Sequence, residues 1–176
     1  MKRYIAFLRA INVVGHVVKM HDLRWHCEAL GLAEVETFIQ SGNVVFGSAA
    51  RSASGLERLV EEGLAAALGY PVATFVRTTR ELAKVASHHP FGDPEDGARV
   101  YVGFLRREPD ARTRDLVLAM SGETDELRFA GRELYWLCRV PMLESKISGA
   151  LVEKTLGSQM TVRNSTTVRR MADKYC

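Results

Sequence analysis

The chain has 176 residues, 47% of them hydrophobic, which suits one medium domain or two small ones and speaks against a disordered chain. Its 24 Lys and Arg against 21 Asp and Glu leave a formal charge of +3, too mild to mark a nucleic-acid or membrane partner, so electrostatic arguments rest on local clusters. The three cysteines, Cys27, Cys138 and Cys176, lie far apart without a CxxC pair, which speaks against a disulfide or metal framework and for a reducing compartment.

Lys2 and Arg3 precede a short apolar run, Tyr4 to Leu8, that reads as a buried first strand. Arg9 interrupts it too soon for a secretory core, and no segment reaches the roughly 18 apolar residues of a membrane helix. A cytoplasmic protein with no membrane partner is expected. The next helix carries Met20, Leu23, Cys27 and Leu30 on one face and stops at Gly31. Two strands, Thr37 to Ile39 and Val44 to Phe46, then flank a tight turn at Ser41-Gly42-Asn43. Ser54 with Glu57 has the spacing of a capping box for a helix with the apolar stripe Leu56, Leu59, Val60, Leu64, Ala67 and Leu68, ended by Gly69 and Pro71. A strand from Val72 to Val76 leads into a second capping box, Thr78 with Glu81.

The second half runs in the same order. A strand at Val100 to Leu105 precedes a helix opened by Pro109 and stopped near Gly122. A hairpin follows, Leu127 to Phe129 and Leu134 to Leu137, turning at Ala130-Gly131. A helix with Ile147, Leu151 and Leu156 ends at Gly157, and a last strand, Met160 to Val162, enters a helix that Asn164 can cap. Local sequence echoes the order: Tyr4-Ile5-Ala6-Phe7-Leu8-Arg9 matches Tyr101-Val102-Gly103-Phe104-Leu105-Arg106, and the segments 76–86 and 162–172 are likewise related. The expected fold is α+β, a tandem duplication of two ferredoxin-like βαββαβ modules, each followed by an extra helix. The modules are expected at 1–89 and 98–176, joined by a linker at 90–97 rich in proline, glycine and acidic residues.

This topology places the carboxyl ends of the first two strands of a module at one edge of its sheet. In the first module that brings Arg9, Asn12 and Gly15 near Ser41, Gly42 and Asn43, with Lys19 where the next helix begins. The arginine, the asparagines and the backbone amides suit a small polar or anion-binding pocket. The same residues would equally serve as a glycine-assisted turn beside a surface arginine. At the opposite edge of the second module, Ser145-Lys146 meets Arg163, Asn164 and the hydroxyls of Ser165, Thr166 and Thr167. Cations and hydroxyls around two helix amino-termini suit a phosphate or carboxylate, and helix capping uses the same amides. Each module keeps a different polar edge, so the copies have specialised at opposite ends.

Other chemistries find less support. His16, His21 and His26 are spaced by five and do not share a helix face as metal ligands at i and i+4 do. His88-His89 belong to the breaker-rich segment. Glu61-Glu62 are read as a solvated pair on a helix face. No Walker loop, nucleophile elbow or dinucleotide fingerprint is present, and no metal or cofactor is expected. The third strands, Val44-Val45-Phe46 and Leu134-Tyr135-Trp136-Leu137, lack the glycine-aromatic signature of RNA-recognition sheets, so Phe46 and Trp136 are assigned to the core.

Phe7-Leu8-Arg9-Ala10-Ile11-Asn12, Met20 to Leu23, Thr37 through Phe46, Ser145-Lys146 and Thr161-Val162-Arg163-Asn164 occur in the order seen in the bacterial DUF1697 family, which the chain resembles over nearly its whole length. The resemblance implies two tandem ferredoxin-like modules and carries no assigned biochemical role. The sequence departs from the family pattern at Ala10, where glycine is usual, at Val14-Gly15, where two glycines are usual, and at Ser165 and Thr166, which replace an aromatic and an asparagine. The last change removes a stacking group from the second edge and leaves its polar cluster.

The leading functional expectation is binding of an anionic partner, a nucleotide or a nucleic-acid backbone, by Arg9, Asn12, Gly15, Lys19, Ser41, Gly42, Asn43, Lys146, Arg163, Asn164 and Thr167. One alternative is an enzyme in which Lys146 or Arg163 stabilises developing negative charge, which requires a titratable group such as His16 or Glu144 beside them. The other is an assembly module, for example a homodimer, that pairs through free sheet edges.

Overall fold

The computed structural model describes residues 1–12, 15, 17–40 and 42–176. Ser41, Val14 and His16, all named in the sequence readings, lie outside the described residues. The first half forms β1 (Lys2–Leu8), α1 (Met20–Ala29), β2 (Ala33–Phe38), β3 (Asn43–Ser48), α2 (Ala53–Leu68), β4 (Thr74–Thr78) and α3 (Thr79–Ser87). The second forms β5 (Arg99–Phe104), α4 (Ala111–Leu118), β6 (Asp125–Ala130), β7 (Glu133–Cys138), α5 (Gly149–Leu156), β8 (Thr161–Asn164) and α6 (Ser165–Tyr175). The sheets have the same strand order, β2-β3-β1-β4 and β6-β7-β5-β8, with every neighbouring pair antiparallel. The fold is therefore α+β, built of two βαββαβ modules, each followed by a further helix.

Alternation along β1 explains the first core. Tyr4, Ala6 and Leu8 pack with Val44, Phe46 and Val76 against Leu23 and Cys27 of α1 and Leu56, Val60 and Leu64 of α2. Ile5, Phe7, Val45 and Phe75, on the opposite face of the sheet, are buried too. Each such side chain contributes about 1.5–3 kcal/mol on leaving water. In the second module Leu134, Trp136 and Cys138 of β7 join Val117 of α4, Val152 of α5 and Leu127 of β6. Phe46 and Trp136 are core residues, as the strand patterns imply.

Several boundaries differ from the sequence reading for identifiable reasons. The cap of α2 is Ser52, whose Oγ accepts from the Gly55 amide at 3.2 Å, so Ser54 and Glu57 do not form a capping box. Glu57 instead turns inward, only 4% exposed, and its Oε1 accepts from the Val76 amide at 2.9 Å. Glu61, expected in solvent, accepts from the Thr74 amide at 2.7 Å. Residues 74 and 76 alternate along the outer edge of β4, where no further strand pairs among the described residues, so α2 closes that edge with two carboxylates. Glu153 of α5 repeats the device by accepting from the Met160 amide at 2.8 Å. The capping box at α3 forms as read: the Thr78 amide donates to Glu81 Oε2 at 2.8 Å, and the Glu81 amide donates to Thr78 Oγ1 at 3.2 Å.

By their contacts, residues 1–82 with 175–176 make one compact unit and residues 83–174 the other. Within the first, Tyr175 donates to Glu36 Oε2 at 3.3 Å and lies under the Arg3 guanidinium, 5.2 Å from its ring centroid. Within the second, the segment 88–98 runs from the end of α3 to β5. Among the described residues no helix is long and apolar enough to cross a membrane.

Candidate functional site

The loop after β1 and the turn before β3 do meet at one edge of the first sheet. The Leu8 amide donates to the Gly42 carbonyl at 2.8 Å, and the Asn12 side chain reaches the Gln40 carbonyl at 3.4 Å. Asn12 Oδ1 also accepts from the Val18 amide at 2.8 Å, so this one side chain ties both ends of its loop to the turn. Asn43 is fully buried and donates to the Phe38 carbonyl at 3.1 Å. Gly42 has φ 70°, and a Cβ there would lie 2.6 Å from Ile11 Cγ2, so only glycine permits this approach. The Arg9 amide is held by the Ala73 carbonyl at 2.8 Å. Gly15 faces open space, and Lys19 is exposed just before α1. Asn12 thus spends hydrogen bonds on joining loop to turn, and Asn43 spends one on closing the hairpin between β2 and β3.

At the opposite edge of the second module the organising group is Asp125. It is 1% exposed and receives Trp136 Nε1 at 2.8 Å, Ser145 Oγ at 2.7 Å and Thr124 Oγ1 at 2.6 Å. Burial alone would raise its pKa, but the hydrogen bonds from Thr124, Trp136, Ser145 and Cys138 outweigh it and hold the carboxyl below the ordinary range. Ser145 Oγ also accepts from the Ile147 amide at 3.0 Å, which leaves Lys146 as the exposed member of the pair. Arg163 folds back along its own strand, donating to Thr161 Oγ1 at 2.8 Å and to the Val162 carbonyl at 2.9 Å. Burial pushes its pKa down to about 10, so the guanidinium remains charged at neutral pH. Asn164 caps α6, its Oδ1 accepting from the Thr166 amide at 2.8 Å.

Beside this cap, inside the second unit, lies a cleft of about 390 Å³. Val100, Val102 and Tyr135 of the sheet form its floor, Asn164, Ser165, Thr166 and Arg169 one side, and His88 through Phe91 the other. Tyr135 donates to the Val85 carbonyl at 3.3 Å, and the His88 ring stands edge-on to it with centroids 4.9 Å apart. Burial, reinforced by Glu133, raises the Tyr135 pKa, so this phenol stays a neutral donor. Arg99 and Arg169 supply positive charge, and among the described residues the lining contains no carboxylate. Of the residues singled out at this edge in the sequence, Asn164, Ser165 and Thr166 line the cleft; Lys146, Arg163 and Thr167 do not. Among the described residues no group of three or more His, Cys, Asp or Glu side chains could hold a metal ion.

Residues 1–135 match the family described as "Protein of unknown function (DUF1697)". The chain belongs to the DUF1697 family. The matched stretch holds the whole first edge, the segment 88–98 and the floor of the cleft, and it ends before α6. Across solved structures, the chain is similar to the conserved bacterial protein SP0830 from Streptococcus pneumoniae, with a TM-score of 0.71 and 24% identity over 99% of this chain and 98% of that one. That likeness shows a shared fold. The comparison with curated proteins returned no match.

His88, His89, Phe91, Arg99, Tyr135 and Arg169 line the cleft, and sequence reasoning assigned none of them to a site. The signal was partial: two histidines and an aromatic among glycines and prolines are unusual for a solvated linker, yet nothing local ties them to residues some 75 positions downstream.

Proposed function

We propose that the protein binds a small anionic ligand with a planar body, a nucleotide, in the cleft beside the amino end of α6. The observation that carries this reading is the lining itself, with Arg99, Arg169, His88 and His89, the hydroxyls of Ser165 and Thr166, and, among the described residues, no carboxylate. Guanidinium groups and the positive end of a helix both favour an anion. Phe91, Tyr135, Val100 and Val102 offer the planar part an aromatic and apolar wall, and the volume falls within the range of small-molecule sites. A mononucleotide is favoured over a nucleic-acid backbone because the cations are gathered in one cleft and the formal charge is only +3. The three free cysteines, two of them buried, support a reducing, cytoplasmic setting.

In this reading Asn164 belongs to the binding site. Arg9, Asn12, Gly42 and Asn43 are loop-tying residues, which accords with the bonds their edge already makes. Calorimetry with adenosine monophosphate at low salt tests it. Binding that weakens with added salt, and by about tenfold on Arg169→Ala, is expected. No heat at millimolar nucleotide would overturn it.

A second reading has one observation in its favour: His88 and His89 give the cleft imidazoles beside the Ser165 and Thr166 hydroxyls, where sequence reasoning found no base. In that case the protein acts chemically on the ligand it binds. A substrate screen with wild type and the double variant His88→Ala/His89→Ala separates the readings, since turnover abolished only in the variant is the enzymatic result. Pairing of copies through the edges at β4 and β8 is less favoured, because Glu57, Glu61 and Glu153 already occupy the outer amides at β4 and just before β8.

A further inference from the structure

One wall of the cleft is a strap, residues 88–98, with space on both sides. The cleft of about 390 Å³ lies on one side of it, and a hollow of about 120 Å³ lies on the other. Phe91, Pro94 and Ala98 border both, so packing holds this segment less tightly than it holds the sheet beneath. Its backbone is secured by short turns, the Gly92 amide donating to the His89 carbonyl at 3.2 Å and the Ala98 amide to the Glu95 carbonyl at 3.0 Å.

One side chain grips the strap from the sheet. Arg128 of β6 donates through Nη1 to the Pro90 carbonyl, and its guanidinium lies 5.0 Å from the centroid of the Phe91 ring. Arg128 is itself fixed, because its Nε donates to Glu126 Oε1 at 2.9 Å, and Arg139 holds the other oxygen of Glu126 at 3.3 Å. The hydrogen bond from Arg128 is the largest influence on the Glu126 carboxyl, and together with Arg139 it keeps that pKa below the ordinary range despite some burial. All these residues except Pro90 line the smaller hollow, on the far side of the strap from the cleft.

We propose that Arg128 is a positioning residue that latches the strap, fixing His88, His89 and Phe91 in the wall of the cleft and so setting ligand affinity from outside the site. The planar guanidinium is suited to this because it can donate at its edge to a carbonyl while its face covers an aromatic ring, which an ammonium does less well. The effect on affinity rests on the nucleotide reading above; the latch does not.

Hydrogen exchange read by mass spectrometry on the ligand-free protein tests the latch. In Arg128→Ala, exchange at the Gly92 and Ala98 amides should accelerate about tenfold, the loss of one hydrogen bond and one cation–π contact, while β5 and β7 keep their wild-type rates. Arg128→Lys keeps the charge next to Glu126 and should fall between wild type and alanine, which guards against a variant that fails to fold. Unchanged strap exchange in both variants would overturn the latch. Adenosine monophosphate is then titrated into each protein. A Kd at least fivefold weaker in Arg128→Ala is expected, and an unchanged Kd alongside faster strap exchange would overturn the control of affinity. Wild-type protein that binds no nucleotide refutes the proposed function, and the exchange result still decides the latch.

Discussion

The indole nitrogen of Trp136 donates to Asp125 Oδ1 at 2.8 Å, and the same oxygen receives the Ser145 hydroxyl at 2.7 Å. This carboxylate joins the middle of β7, the start of β6 and the approach to α5. Asp125→Ala removes the shared acceptor and leaves the indole unpaired, so urea denaturation at neutral pH should register a loss of about 2–4 kcal/mol. The folded-state pKa of Asp125 is depressed, so its contribution is present above the unfolded value of about 3.9 and is lost as pH falls through the lower folded value. Acid unfolding of wild type should therefore steepen below about pH 4, and Asp125→Asn should lose part of that steepness.

The carboxylate of Glu57 shields an outer amide of β4. Glu57→Ala orphans the buried Val76 amide and should cost about 2–3 kcal/mol by chemical denaturation, whereas Glu57→Gln, which keeps a carbonyl acceptor, should lose less. The alanine variant should also aggregate more readily in light scattering, since it uncovers an edge.

Ala10 sits at φ 54°, in the left-handed region that favours glycine. Relief of that conformation outweighs the added freedom of the unfolded chain, and Ala10→Gly is expected to gain roughly 0.5–1 kcal/mol in a thermal melt. Gly42→Ala should move the other way by about 2–4 kcal/mol, from the strained φ and the clash with Ile11.

The thiols divide sharply. Burial pushes Cys27 and Cys138 up to about 12, whereas Cys176 is exposed, its Sγ 3.1 Å from the Thr79 carbonyl. A disulfide reagent at pH 8 should modify Cys176 in the native protein and the other two only with unfolding. Rapid modification of all three without denaturant would contradict the packing of both cores.

Much of the architecture was legible because it is written in local chemistry. The apolar run of Tyr4 to Leu8, the turn at Gly42-Asn43 and the Thr78-Glu81 capping box each depend on residues a few positions apart. Glu57 was misread for the same reason: its spacing from Ser54 satisfies a local rule, but a strand edge that appears only in three dimensions claims it. The cleft was illegible on that account, since His88 to Phe91 carry no periodicity and meet Asn164 to Arg169 only through the β5–β8 pairing. The sequence places Asn12 in an anion-binding edge beside the turn, but it does not reveal that this side chain bonds the Gln40 carbonyl and the Val18 amide and so joins loop to turn.

The most direct test of a ligand cleft in the second unit is an amide-resolved NMR titration with adenosine monophosphate at low salt. Saturable shifts are expected at His88, His89, Ser165, Thr166 and Arg169, with Arg9, Asn12 and Asn43 little changed. Shifts confined to the Arg9 and Asn43 edge, or none at millimolar nucleotide, would contradict it.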